Sequence, residues 1–109
     1  MSPLNITHQY TATGPVLHVA GALDYEHAAA LREQVARLVL SPGQNLRIAL
    51  SGLEFCDSTG ITVLPAARRL ALAAGADLTL TAVPTDTLRI LSLVGLDQVF
   101  TIRPATDPA

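Results

Sequence analysis

Leu53-Glu54-Phe55-Cys56-Asp57-Ser58-Thr59-Gly60-Ile61 is the stretch on which the fold turns. An apolar run ends abruptly in Asp-Ser-Thr-Gly, and a helical pattern starts directly after it. A strand therefore delivers a hydroxyl and a carboxylate to the mouth of a helix. The first N–H groups of a helix lack intrahelical partners and carry the positive end of its dipole. Such a mouth suits a capping oxygen or an incoming phosphate. Ser58 is thus either an ordinary cap or a carrier of a phosphoryl group, and Asp57 could take the cap in its place. Thr59 is the runner-up acceptor.

Outward from this site, strands and helices alternate. Towards the amino terminus, Leu46–Leu50 reads as an interior strand, with residues 51–56 leading out of it to the site. Before it, Ala28, Leu31, Val35 and Leu38 recur at helical spacing, and Asp24 is placed to cap that helix. Asn5–Thr11 and Val16–Ala20 form an opening hairpin around an Ala12–Pro15 turn. Towards the carboxyl terminus, Ile61, Leu64, Ala67 or Arg68, Ala71 and Leu72 mark one helix face, and Gly75 is a fitting residue just past its end. Asp77–Val83 alternates as a strand. Thr85 or Asp86 then caps a short helix through Leu88, Leu91 and Val94, closed by Gly95, and Gln98–Ile102 is a last short strand. Residues 103–109 form a frayed tail. The order β-β-α-β-α-β-α-β predicts an α/β fold: a mixed β-sheet, parallel except for the hairpin, with helices packed on it. Pro65 interrupts the pattern inside the helix after Ser58, where it deletes a backbone bond and costs about 3 kcal/mol.

The 109 residues fit a single domain with a core at about residues 5–102. Half the chain is hydrophobic and 15% is charged, a balance that favours a packed core over disorder. All seven basic residues are arginines, scattered rather than clustered, and the net charge is −2. Direct binding of nucleic acid is not expected. No apolar run approaches the roughly 20 residues that span a bilayer, and residues 1–5 lack a signal-peptide pattern. The expectation is a cytoplasmic protein without membrane insertion. The lone Cys56 agrees with a reducing compartment and reads as a buried small hydrophobe. His8, His18 and His27 have neither the spacing nor the company of a metal site and read as surface or strand residues. No metal or other cofactor is implied.

Catalysis finds little support. A nucleophile elbow would need glycine at Cys56, and all three histidines precede Ser58. The chain has no Gly-x-Gly-x-x-Gly or Walker motif.

At Asp57-Ser58-Thr59-Gly60 the chain resembles the anti-sigma factor antagonists, the single-domain bacterial STAS proteins. The likeness extends to Gly21-Ala22-Leu23-Asp24, Leu50-Ser51-Gly52-Leu53-Glu54-Phe55, Gly75-Ala76-Asp77-Leu78 and residues 93–100. Two departures are Ala49, where members often carry Asp or Asn, and Pro65. The resemblance implies a STAS-type sheet and a role in transcription regulation by partner switching. In such proteins the serine matching Ser58 is phosphorylated by an anti-sigma factor that is itself a serine kinase. The unphosphorylated form binds that factor and releases the sigma factor, and a PP2C-type phosphatase restores it. Asp24, Asp57, Ser58, Thr59 and Gly60 would form the partner surface. The alternative is a non-phosphorylated STAS subunit of a transporter or scaffold complex.

Overall fold

Alternating apolar residues along three successive strands build one face of a sheet, and that face organises the molecule. The computed structural model describes residues 3–104. Its elements are β1 (Asn5–Thr11), β2 (Gly14–Leu23), α1 (Ala28–Arg37), β3 (Asn45–Cys56), α2 (Ser58–Ala73), β4 (Asp77–Thr81), α3 (Thr85–Leu93), a single 3₁₀ turn (Leu96–Gln98) and β5 (Thr101–Arg103). The five strands lie side by side in chain order. Only β1 and β2 are antiparallel; β2, β3, β4 and β5 run parallel. Crossovers between parallel strands are right-handed as a rule, and three that always step the same way put their helices on the same face. Leu17, Val19, Leu46, Ile48, Leu50, Leu78 and Leu80 supply the sheet side of the core. Leu31 and Val35 of α1, Ile61, Leu64 and Ala67 of α2, and Leu91 of α3 close it.

The expected order of elements is the observed one, while several boundaries moved. Strand β2 takes in Gly14 and Pro15, and only Ala12 and Thr13 turn the chain. Strand β3 runs on past Leu50 to Cys56, twelve residues in all. Its pairing with β2 slips twice, between His18 and Ala20 and again between Gly21 and Ala22. Each slip gives β3 one extra residue, the signature of a bulge. Gly52 lies at the first slip, where a methyl group would stand 2.8 Å from the Ala20 Cβ. Strand β4 ends at Thr81, and Gln98 belongs to the 3₁₀ turn, so β5 is shorter and later than the Gln98–Ile102 strand expected. Of the expected tail, residues 105–109 lie outside the described residues.

The carboxyl end of α2 follows its chemistry, and the start of α3 does not follow the capping expected of it. Past the end of α2, Gly75 sits at φ +78°. Its N–H donates to the Leu72 carbonyl at 2.9 Å and the Ala76 N–H to Ala71 at 2.9 Å. This double closure is the Schellman arrangement, and it needs a residue tolerant of the left-handed region. Helix α3 begins after Pro84 with no side-chain cap, so neither Thr85 nor Asp86 plays the capping part expected of it. Helix α2 runs unbroken through Pro65.

Candidate functional site

Parallel strands deliver their carboxyl ends to one edge of the sheet, and two of them bring the predicted residues there. Strand β2 ends at Leu23, directly before Asp24, and β3 ends at Cys56, directly before Asp57. The register pairs Leu23 with Cys56, so the two acidic loops start side by side. The Asp57 N–H donates to the Leu23 carbonyl at 3.3 Å.

Asp57 is the N-cap of α2. Its extended backbone turns the chain into the helix, and its Oδ1 accepts from the Gly60 N–H at 2.8 Å. The other oxygen, Oδ2, accepts a longer bond of 3.4 Å from the Tyr25 N–H. One carboxylate therefore ties the start of α2 to the loop after β2. Gly60 permits this closeness: a methyl group there would collide with the Leu23 carbonyl.

Since Asp57 caps the helix, Ser58 does not. Ser58 is the first residue of α2 and is exposed, and among the described residues its hydroxyl makes no hydrogen bond. It opens onto a groove of about 500 Å³ between α2 and the α3 end of the fold, lined by Ile61, Pro65, Ile90, Val94 and Leu96. Thr59 is half-buried, and its carbonyl accepts from the Thr62 hydroxyl at 2.6 Å. Its position in the first turn is less open to a modifying partner than that of Ser58.

Asp24 differs from the expectation in detail. The N-cap of α1 is His27, and no side chain caps that helix. Asp24 instead holds the turn before it: its carbonyl accepts from the Ala28 N–H at 2.8 Å, and its Oδ1 from the His27 N–H at 3.0 Å. The same oxygen lies 2.7 Å from His27 Nδ1. Partial burial disfavours the Asp24 charge, but the hydrogen bonds and field of His27 outweigh it, and the carboxyl sits below its ordinary 3.8.

His27 was not singled out by the sequence, nor was Tyr25, which is 81% exposed beside the two acidic residues. The Asp24-x-x-His27 spacing at a helix start is the signal that could have found the first. Although Asp24, His27 and Ser58 share this edge, no hydrogen bond links His27 to Ser58 among the described residues, so a Ser-His-Asp relay is not assembled. Cys56 is buried, and desolvation followed by the Asp57 charge pushes its thiol up to about 11, which disfavours the reactive thiolate. Among the described residues no cluster of three His, Cys, Asp or Glu could hold a metal ion, and no helix is long and apolar enough to cross a membrane.

Comparison with known proteins matches the sequence and the fold. The family model described as Mlab, STAS domain matches residues 6–104. The anti-sigma-B factor antagonist of Bacillus subtilis (strain 168) is 29% identical over 91 residues, covering 84% of this chain and 83% of that protein. The crystal structure of an anti-sigma factor antagonist from Mycobacterium paratuberculosis is 28% identical, covers 96% of this chain and 89% of that one, and superposes with a TM-score of 0.82. A sulfate transporter family protein from Wolinella succinogenes shares the fold at 14% identity, over 81% of this chain and 74% of that one, with a TM-score of 0.69.

Proposed function

Because the chain belongs to the STAS domain family, we propose that it is an anti-sigma factor antagonist switched by phosphate on Ser58. Asp24, Asp57, Ser58, Thr59 and Gly60 are its partner surface. The unphosphorylated form binds an anti-sigma factor that is a serine kinase and so releases the sigma factor. Phosphorylation ends that binding, and a PP2C-type phosphatase reverses it. The activity is regulatory binding, not catalysis, and its place is the cytoplasm.

The observation that carries this reading is the division of labour at the mouth of α2. Asp57 does the capping, which leaves the Ser58 hydroxyl exposed and uncommitted at the positive end of a 16-residue helix. Phosphate there adds about −1.5 to −2 charge. The helix end rewards it by roughly 0.3–1 kcal/mol. Asp57 and Asp24 oppose it: at about 6 Å and an effective dielectric of 40–80, each repels a −2 group by roughly 1–3 kcal/mol before salt screening. Salt screening shrinks this exposed repulsion towards the helix-end gain, and Ser58 has no buried contact to lose, so the fold tolerates the modification. A partner pressed against the dianion would have to strip its water, a cost of several kcal/mol. The switch therefore acts at the interface. The transporter-subunit alternative has a fold shared at 14–19% identity behind it and, near the site, only the Ala49 departure in its favour.

The test is incubation of the chain with candidate anti-sigma serine kinases and ATP, followed by mass spectrometry. One phosphate on Ser58 is expected. A phosphate mapped to Thr59, or to any other residue, overturns the assignment.

A further inference from the structure

The three histidines occupy different settings. His8 meets Tyr10 edge-on, ring centres 5.8 Å apart, on β1, and His18 is exposed on β2. Of the three, only His27 bonds Asp24, which lies between Leu23 and Tyr25, the two residues that Asp57 ties to the mouth of α2. We propose that His27 is a positioning residue for the switch: it clamps Asp24 Oδ1 from two sides and so holds the second oxygen, Oδ2, ready for the partner that Ser58 serves. This rests on the reading of Ser58 given above.

An aspartate side chain turns about two bonds, and a single hydrogen bond leaves it free to swing. Here two donors of one residue meet one oxygen, the backbone N–H at 3.0 Å and Nδ1 at 2.7 Å. The donors are themselves anchored, because His27 is the N-cap of α1, whose Ala28, Leu31 and Val35 are buried in the core. The carbonyl of Asp24 is bound as well, to the Ala28 N–H at 2.8 Å. Against a carboxylate oxygen, Nδ1 must carry the proton, so the partner fixes the tautomer. Among the described residues no side-chain donor reaches Asp24 Oδ2, and the Glu26 N–H adds only a weaker backbone contact to the carboxylate. Asp57, whose own oxygens are spent on Gly60 and Tyr25, offers a partner less acceptor capacity than Asp24 does. The mouth thus has one committed carboxylate and one half-committed carboxylate, and His27 decides which oxygen of the second stays open.

The experiment compares wild type, His27→Ala and His27→Asn. Asparagine places an amide nitrogen close to where Nδ1 stood, while alanine keeps only the backbone donor. Three-bond couplings report the Asp24 rotamer, and the carboxyl carbon signal reports its titration. The phosphorylation rate is read with whichever anti-sigma serine kinase modifies the wild type. In His27→Ala the Asp24 side chain is expected to average over rotamers and to titrate nearer the ordinary carboxylate range. Its phosphorylation rate should fall roughly three- to ten-fold, the worth of one hydrogen bond. His27→Asn should restore all three readings, the rate to within about two-fold. An unchanged rotamer and titration in His27→Ala overturn the proposal. So does a wild-type phosphorylation rate once Asp24 has been freed. Should the alanine variant not fold, His27→Ser replaces it, since serine is a favoured N-cap for α1. A wild-type chain that no kinase modifies sinks the Ser58 reading instead, and the Asp24 rotamer still decides whether His27 clamps it.

Discussion

Gly60 shows how much of the site depends on single atoms. Its Cα lies so close to the Leu23 carbonyl that any Cβ would overlap it, and that oxygen also accepts from Asp57. Gly60→Ala must push α2 away from the end of β2. We expect a loss of about 2 kcal/mol or more, in the range of overpacked cores, read as a lower urea midpoint; a loss below about 0.5 kcal/mol would count against the contact. Asp24 makes a prediction in pH. Its folded carboxyl lies below 3.8 because His27 bonds outweigh partial burial. A depressed acid stabilises the fold above its unfolded value and loses that contribution as pH falls through the folded one. Asp24→Asn should therefore flatten the acid limb of stability below about pH 4, measured as urea midpoints across that range; an unchanged limb would show that the pair adds nothing. At this scale the sequence was partly legible. Asp-Ser-Thr-Gly announced a helix mouth, because strand, polar turn and helix follow one another locally. Which of Asp57 and Ser58 takes the cap was not legible, since both residue types cap well, and only the backbone turn at Asp57 separates them. His27 was missed because its partner lies within a turn that ordinary helix-start patterns do not describe.

Helix α2 carries a conflict between local preference and packing. Pro65 stands within it and cannot give the N–H that the Ile61 carbonyl would accept. The helix persists because Ile61, Val63, Leu64, Ala67 and Ala71 are buried along it, and burial of several large side chains at about 1.5–3 kcal/mol each exceeds the loss of one bond. Pro65→Ala restores the donor and should raise stability by roughly 1–3 kcal/mol, seen as a higher urea midpoint. A midpoint that does not move, or falls, would mean that proline's restraint of the unfolded chain outweighs the missing bond. The element order was readable because helical and strand periods alternate cleanly. The end of β3 was not, because Ser51 and Gly52 look like a loop. Their strand conformation comes from pairing with β2 through two register slips, a tertiary effect invisible to local periodicity.

Across the whole molecule, a sheet stepping in one direction gathers the carboxyl ends of β2 and β3 on one edge, over a core that fills the face behind them. Ser58 lies outside that core, at the surface of a helix whose start is already tied by Asp57 to both Gly60 and Tyr25. A charge added at Ser58 meets an attractive helix end and carboxylates whose repulsion salt screens at this exposed site. It has no buried contact of its own to break, since Ser58 is exposed. The modification should consequently change what binds without changing what is folded. Ser58→Asp is expected to weaken binding to the anti-sigma factor by about ten-fold or more, the scale of a desolvated charge at an interface. Its melting temperature should stay within about 4–8 °C of wild type, which corresponds to 1 kcal/mol in a domain of this size. Ser58→Ala, which removes the acceptor and adds no charge, should keep binding near wild type while abolishing phosphorylation. Titration calorimetry and thermal melts on the three proteins separate the cases. If Ser58→Asp loses stability steeply while its folded fraction binds as wild type does, the switch works through the fold, and the division between a rigid scaffold and a local electrostatic gate is wrong. If Ser58→Ala binds as weakly as Ser58→Asp, the hydroxyl itself is part of the contact, and charge is not what the partner reads.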